Sequence, residues 1–280
     1  RENYFRKNDK RLKITRQLNS KNTLIGLAED KNIKTPLTLC FDSKEFFSNA
    51  DEINYPVYFK PSISTSGLGI VRCENNTSLT HAVATLKSGV AFQVQSAVKA
   101  EVFSSYQFEA VDGKAKILLI SDQIISDHAH AGNRYPARYE NEKFLMDFAQ
   151  FAVDEGMDDI FAFDVAVSTG PHGVAYDLIE CNPRYTAATY PAMVAKKLNI
   201  ACWMSLIIEV PFRSFDGFDI KDLEYQSKTQ QGLILISWGT IEYGRLMFMM
   251  VGTPEQQLAL VDQVKHRLQA AGSMGKPRIY

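Results

Sequence analysis

Lys60 and Pro61 stand at the end of an apolar run, Val57-Tyr58-Phe59, and run straight into Ser62-Ile63-Ser64-Thr65-Ser66-Gly67-Leu68-Gly69-Ile70. A strand that delivers an ammonium group into a small, hydroxyl-rich loop has the chemistry to hold a polyphosphate. Gly67 and Gly69 let backbone N–H groups come close to the oxygens, and Lys60 places positive charge against them. In the P-loop the lysine follows the glycines and opens a helix, so that pattern does not apply, and no GxGxxG is present. Taken alone, the stretch is equally a surface hairpin.

A second group of reactive side chains lies about a hundred residues on. Phe161-Ala162-Phe163-Asp164-Val165-Ala166-Val167 reads as a buried strand with one carboxylate. After a turn at Gly170-Pro171-His172-Gly173, the run Val174 to Arg184 reads as its hairpin partner. Alternation places Ala162, Asp164 and Ala166 on one face of the first strand, and Leu178, Glu180 and Asn182 on one face of the second. Antiparallel pairing would bring Asp164, Glu180 and Asn182 together as an all-oxygen donor set suited to Mg²⁺ (or Mn²⁺) on nucleotide phosphates. Arg184, just past the strand end, would neutralise a developing anion. The plainer alternative for a lone buried aspartate is a hydrogen-bonded structural residue, but three converging oxygen donors beside an arginine fit that alternative poorly.

In order and spacing these pieces resemble the ATP-grasp superfamily of carboxylate–amine and carboxylate–thiol ligases. The resemblance rests on the Lys60-Pro61-Ser62 glycine-loop unit, Gln93-Val94-Gln95 followed by Glu101, Asp164, and Glu180-Cys181-Asn182-Pro183-Arg184, and covers roughly residues 20 to 200. It implies an α+β fold, with two α+β lobes gripping a nucleotide between them and a small C-terminal α/β unit. The division expected is an N-terminal segment over residues 1–20, left over from a missing domain, a small lobe with the glycine-rich flap over 21–95, a large lobe with the metal site over 96–215, and a C-terminal subdomain over 216–280. Lys60 would contact the α- and β-phosphates under a flap running from Ser62 through Ser66 and Gly67 to Gly69. Lys21, near a helix start, would be the second phosphate lysine. Gln95 would lead into an adenine hinge read by the backbone from Ser96 to Val98, and Glu101 would hold the ribose hydroxyls. Asp164, Glu180 and Asn182 would bind the metal, and Arg184 would support the acyl-phosphate or tetrahedral intermediate. Apart from the resemblance, the loop from Ser126 to Arg138 reads either as a solvated polar loop or as one reaching over the γ-phosphate or an acceptor carboxylate, with Arg134 the best candidate.

Three departures from the family pattern matter. Gln93 and Gln95 stand where the hinge approach usually carries acidic residues, although the Gln95 amide oxygen can still accept from an adenine amino group. Ala162 replaces the arginine that D-alanine ligases place two residues before the first metal aspartate, which argues against that activity. The chain also starts at Arg1, close to the Lys21 helix, without the N-terminal α/β domain that ATP-grasp ligases normally carry, and so reads as a trimmed or truncated member.

The implied function is an ATP- and Mg²⁺-dependent ligase forming C–N or C–S bonds through an acyl phosphate. Its substrates would be a small carboxylate and an amine, an amino acid or a peptide among them, with a homodimer as one assembly. A nucleotide-binding regulatory module without turnover and a kinase-like phosphotransferase are the alternatives. With 280 residues, 45% of them hydrophobic and 22% charged, and a net charge of −1, the chain gives no reason to expect nucleic acid or an anionic membrane as partner. Its most apolar runs, Gly232 to Trp238 and Leu246 to Gly252, are too short to span a bilayer. Cys40, Cys73, Cys181 and Cys202 form no CxxC pair and read as reduced, buried thiols of a cytoplasmic protein.

The elements that must position these residues follow from pattern. Helices are expected at Lys21–Asn32, Ser43–Asn49, Leu79–Lys87, Glu140–Glu155, Ala192–Leu198, Trp203–Ile208 and Pro254–Ala270. Strands are expected at Thr38–Phe41, Tyr55–Lys60, Ile70–Cys73, Ala91–Gln95, Leu233–Ser237 and Arg245–Met250, with a hairpin of Glu101–Val111 and Lys114–Ser126 around Asp112-Gly113. Ser126 to Arg138, with two histidines and two arginines, is expected to be a loop. A zinc site there would need partners that the sequence does not supply.

Overall fold

The computed structural model describes residues 9–48, 53–64, 67–126, 129–216 and 218–271. The chain divides into two compact units, Arg1–Leu118 with Tyr139–Tyr185, and Leu119–Arg138 with Thr186–Tyr280. The class is α+β, as expected, with antiparallel sheets and packed helices.

The first unit opens with helices α1 (Asp9–Asn19) and α2 (Lys21–Asp30). The sequence reading had assigned no element to α1, whose Ile14 and Leu18 are buried. Ser20 starts α2 as its N-cap, its side chain accepting from Thr23 N–H. Strands β1 (Thr38–Phe41), β2 (Val57–Pro61), β3 (Val71–Cys73) and β4 (Phe92–Ser96) form an antiparallel sheet in the order β1-β4-β2-β3. One face is apolar: Val57, Phe59, Cys73, Phe92 and Val94 pack on Leu79, Ala82 and Val83 of helix α3 (Asn76–Ala84). Period-two alternation therefore turns Lys60, Gln93 and Gln95 to the other face.

Strand β5 (Val102–Val111) is followed by β6 (Lys114–Ser126), which begins in the first unit and continues in the second. Asp112 and Gly113 link them with φ values of 52° and 72°, as a two-residue type I′ turn requires. Strand β8 (Ile160–Gly170) pairs with β5 on one side and with β9 (Gly173–Asn182) on the other. Helix α4 (Lys143–Asp154) buries Leu145, Phe148, Ala149, Ala152 and Val153, and the Phe148 ring lies 5.4 Å from that of Phe163.

In the second unit β7 (Ala129–Tyr135) pairs with β10 (Trp203–Glu209), β10 with β12 (Arg245–Val251), and β12 with β11 (Gly232–Ser237), all antiparallel. Helix α6 (Pro254–Ala271) lays Leu260, Val261, Val264 and Leu268 against Met204, Leu206, Ile208, Leu246, Phe248 and Met250. On the opposite face Trp203, Met249 and Val251 meet Ala195 and Ile200, around the end of helix α5 (Thr189–Leu198).

Four expectations are corrected. Trp203–Ile208 is a strand and not a helix, because a strand covered on both faces loses the polar alternation that would identify it. Much of the expected Ser126–Arg138 loop is strand β7, which Gly132 allows to lie close against β10: a Cβ there would stand 1.9 Å from the Ser205 carbonyl oxygen. Cys40 is exposed on β1 and Cys202 only partly covered, whereas Cys73 and Cys181 are buried as expected. Finally, a bulge between β8 and β9 sets Val165 opposite Leu178, so Leu178 leaves the face that carries Glu180.

Candidate functional site

Residues from α2, β2, β4, β8 and β9 build one polar cluster inside the first unit. Asp164 lies directly opposite Glu180 in the β8–β9 register, and Asn182 Nδ2 donates to Asp164 Oδ2 at 2.9 Å. The bulge falls one residue past Asp164, so the pairing that aligns the two carboxylates is kept while the strand beyond it is re-registered. Lys21 Nζ donates to Glu180 Oε1 at 3.0 Å and to Ser64 Oγ at 3.2 Å, and is itself only 3% exposed. Lys60, also buried, donates to Gln95 Oε1 at 2.6 Å, and Gln95 Nε2 donates to Thr38 Oγ1 at 3.0 Å.

The turn after Lys60 is tied to the start of α2. Lys21 N–H donates to Ser62 O at 2.8 Å, Asn22 N–H to Ser62 Oγ at 3.4 Å, and the Ser20 and Ser62 hydroxyls lie 3.0 Å apart. Gly67 and Gly69, at φ 74° and 76°, sit in an exposed turn closed by Ile70 N–H to Gly67 O at 3.1 Å. Both occupy the left-handed region that favours glycine. The expected contact from Ser66 lies outside the described residues.

The charges in this cluster are unevenly matched. Burial pushes Asp164 up to about 7, and the negative charge of Glu180 adds to it against the weaker opposing pull of a Ser105 hydrogen bond, Arg184 and Asn182. Burial likewise lowers Lys60 to about 8, with Glu180 opposing and Lys21 reinforcing the shift. Two facing carboxylates and a carboxamide are a hard donor set, and a divalent cation would favour the ionised form of Asp164 that burial disfavours. The residues therefore fit Mg²⁺ or Mn²⁺. Among the described residues no group of three or more His, Cys, Asp and Glu side chains is arranged to hold a metal, so this set relies on Asn182 for its third donor.

The remaining expected residues are placed as follows. Arg184 is exposed just past β9, close enough to lower the pKa of Asp164. Ser96 N–H and Ala97 N–H donate to Leu37 O and Pro56 O, at 2.8 and 3.0 Å, which commits two of the hinge donors; Val98 is partly buried beside them. Glu101, exposed at the start of β5, accepts from Tyr139 Oη at 2.8 Å and from Thr169 Oγ1. Arg134 belongs to the second unit, where it is exposed, sits opposite Asp122 and has Nη2 3.8 Å from Met204 Sδ. Ser64 falls within the expected Ser62–Gly69 flap, whereas sequence reasoning missed Thr38, Ser105 and Tyr139, which reach the expected residues only through tertiary contacts and carry no local signal.

No protein-family model matches the chain, and no curated protein matches it by sequence. Solved structures do. The chain is similar to the ADP complex of N5-carboxyaminoimidazole ribonucleotide synthetase, at 14% identity over 91% of this chain and 72% of that one, with a TM-score of 0.64. A biotin carboxylase from Campylobacter jejuni, in a β,γ-ATP complex, matches at 14% identity over 90% of this chain and 67% of that one, with a TM-score of 0.64. An L-amino acid ligase from Bacillus licheniformis matches at 12% identity over 90% of this chain and 71% of that one, with a TM-score of 0.60. At such identities the likeness is one of fold.

Proposed function

We propose that this chain, which has the ATP-grasp fold, is an ATP-dependent carboxylate–amine ligase whose chemistry is carried by the Lys21, Lys60, Asp164, Glu180, Asn182 and Arg184 cluster. The observation that carries the reading is the joining of Lys21 to Glu180 across 159 positions of sequence, at 3.0 Å, beside the facing Asp164. A buried ammonium and two opposed carboxylates are a costly arrangement for a purely structural role, and a natural one for holding a metal–triphosphate.

Lys60 and Lys21 draw the phosphate oxygens in and offset their charge. Asp164, Glu180 and Asn182 would hold Mg²⁺, which supplies charge neutralisation on the phosphates when bound. A substrate carboxylate oxygen attacks the γ-phosphorus, the bond to ADP breaks, and an acyl phosphate results. The amine nitrogen then attacks the acyl carbon and expels phosphate, with the Arg184 guanidinium favouring the oxyanion that forms. No enzyme nucleophile is required, since positioning and electrostatics carry the reaction. The amino-acid ligase among the similar structures supports an amino acid as one substrate.

The test is ADP release with Mg²⁺ against pooled amino acids and small carboxylic acids, for wild type beside Glu180→Gln. Acceptor-dependent release that the variant loses is expected. ATP turnover with no acceptor requirement would point to phosphotransfer, and tight binding without turnover in any pool would point to a regulatory module.

A further inference from the structure

Gln93 lies in the middle of the polar face of β4 and is fully buried, yet neither its Nε2 nor its Oε1 has a hydrogen-bond partner among the described residues. Buried amides are rarely left so. In the sheet register Gln93 stands directly opposite Lys60 on β2 and opposite Cys40 on β1. Directly opposed residues share a face with their Cβ atoms about 5 Å apart, well within reach of a lysine and a glutamine. The Lys60 ammonium nonetheless leans away to Gln95 Oε1, at 2.6 Å. The Asn22 amide on α2 offers Gln93 no donor, because its Nδ2 spans Phe41 O and Phe92 O at 3.1 Å each.

Two carboxamides on one strand face thus flank a single buried ammonium, one engaged and one idle. If a bound nucleotide base takes the Gln95 carboxamide, the ammonium loses its partner in a place that water does not reach. Gln93 Oε1 is then the acceptor already in position. We propose that Gln93 is a positioning residue for Lys60, receiving its ammonium when a nucleotide engages Gln95 and so holding that charge toward the phosphates. The inference rests on the nucleotide-binding reading above and goes beyond it by assigning the two glutamines different jobs: Gln95 serves the unliganded state and the base, and Gln93 serves the liganded state.

The test displaces a fluorescent ATP analogue from the full chain with ATP and with adenosine, alongside thermal unfolding, for wild type, Gln93→Met and Gln93→Glu. Methionine keeps the volume and removes the amide, while glutamate restores an acceptor oxygen. Gln93→Met is expected to weaken ATP and adenosine each by about tenfold, because the base of either takes Gln95 from Lys60, and to keep or raise Tm, since two unpartnered polar atoms disappear. Gln93→Glu should return ATP affinity to within about threefold of wild type. Unchanged ATP affinity in Gln93→Met overturns the inference. So does a lowered Tm in Gln93→Met, the result expected of an amide held by ordered water for structural reasons. A wild type that binds ATP, with either of those outcomes in the variant, leaves the nucleotide reading standing and removes only Gln93 from it. A wild type that binds no nucleotide overturns both.

Discussion

In the first unit the buried polar groups are charged and incompletely matched: Lys60 and Asp164 are both shifted toward neutrality by burial, and Gln93 has an idle amide. The second unit buries an equally polar cluster and treats it differently. Asn133 donates from Nδ2 to Ser121 Oγ at 3.0 Å and from its backbone to Ser205 Oγ at 3.1 Å, and its Oδ1 lies 2.8 Å from His130 Nε2. Ser121, Asn133 and Ser205 are all fully buried, and burial keeps His130 toward its neutral form. A neutral, closed network of this kind locks strands in register. A charged, open one stores unmet electrostatic demand that a ligand can satisfy. Burial of polar atoms alone does not separate the two; whether their partners lie within the protein does.

The comparison breaks first if the charged cluster proves structural. Glu180→Gln should lower ATP turnover by about a thousandfold or more, because it takes the charge from a proposed metal ligand that is also the ion-pair partner of Lys21. Its thermal unfolding should stay close to wild type. Lys60→Met should weaken ATP binding by about a hundredfold, on the scale of one charge-assisted phosphate contact. Its Tm should hold or rise, since the variant removes a desolvated ammonium. If either variant turns over or binds like wild type while losing stability, the first cluster belongs to the same class as the second.

The neutral network makes the opposite prediction. Asn133→Leu strands Ser121 and His130 together, while its backbone N–H still reaches Ser205 Oγ, so chemical denaturation should show a loss of about 2–4 kcal/mol. ATP affinity should stay within about threefold of wild type. A strong binding defect with intact stability would mean that the second cluster also answers to a ligand.

The legibility of these regions in the sequence differs for the same physical reason. Asp164, Glu180 and Asn182 could be read because period-two alternation fixes which residues of a hairpin share a face, and their convergence survives the bulge that displaces Leu178. Lys21 could be proposed only from its place at a helix start, since its bond to Glu180 spans 159 positions. Trp203–Ile208 was misread because apolar cover on both sides erases the alternation of a strand, and β7 because a strand that carries Gly132, Asn133 and two charged or ionisable residues looks like a loop. Thr38 and Ser105 had no local signature: each matters only through a neighbouring strand that the sequence places tens of residues away.

The finest test of the comparison uses pH. Asp164 has an ordinary pKa of 3.8 and is raised to about 7 in the folded chain. Between those values the folded state binds the proton more tightly than the unfolded state, so stability should fall as pH rises from about 4 to about 7. The slope from this one group is at most about 1.4 kcal/mol per pH unit. Asp164→Asn should flatten that part of the profile without Mg²⁺, and in the wild type millimolar Mg²⁺ should flatten it as well, because a cation favours the ionised form that burial disfavours. In the neutral network His130 is held toward its uncharged form by burial, so protonating it on acidification costs stability and pulls the other way. Unfolding profiles of Asp164→Asn and Asn133→Leu, recorded side by side from pH 4 to 8, would separate the two contributions. A profile unchanged by Asp164→Asn and by Mg²⁺ would mean that the carboxylate pair carries no unmet charge, and the distinction between the two clusters would fail at its chemical root.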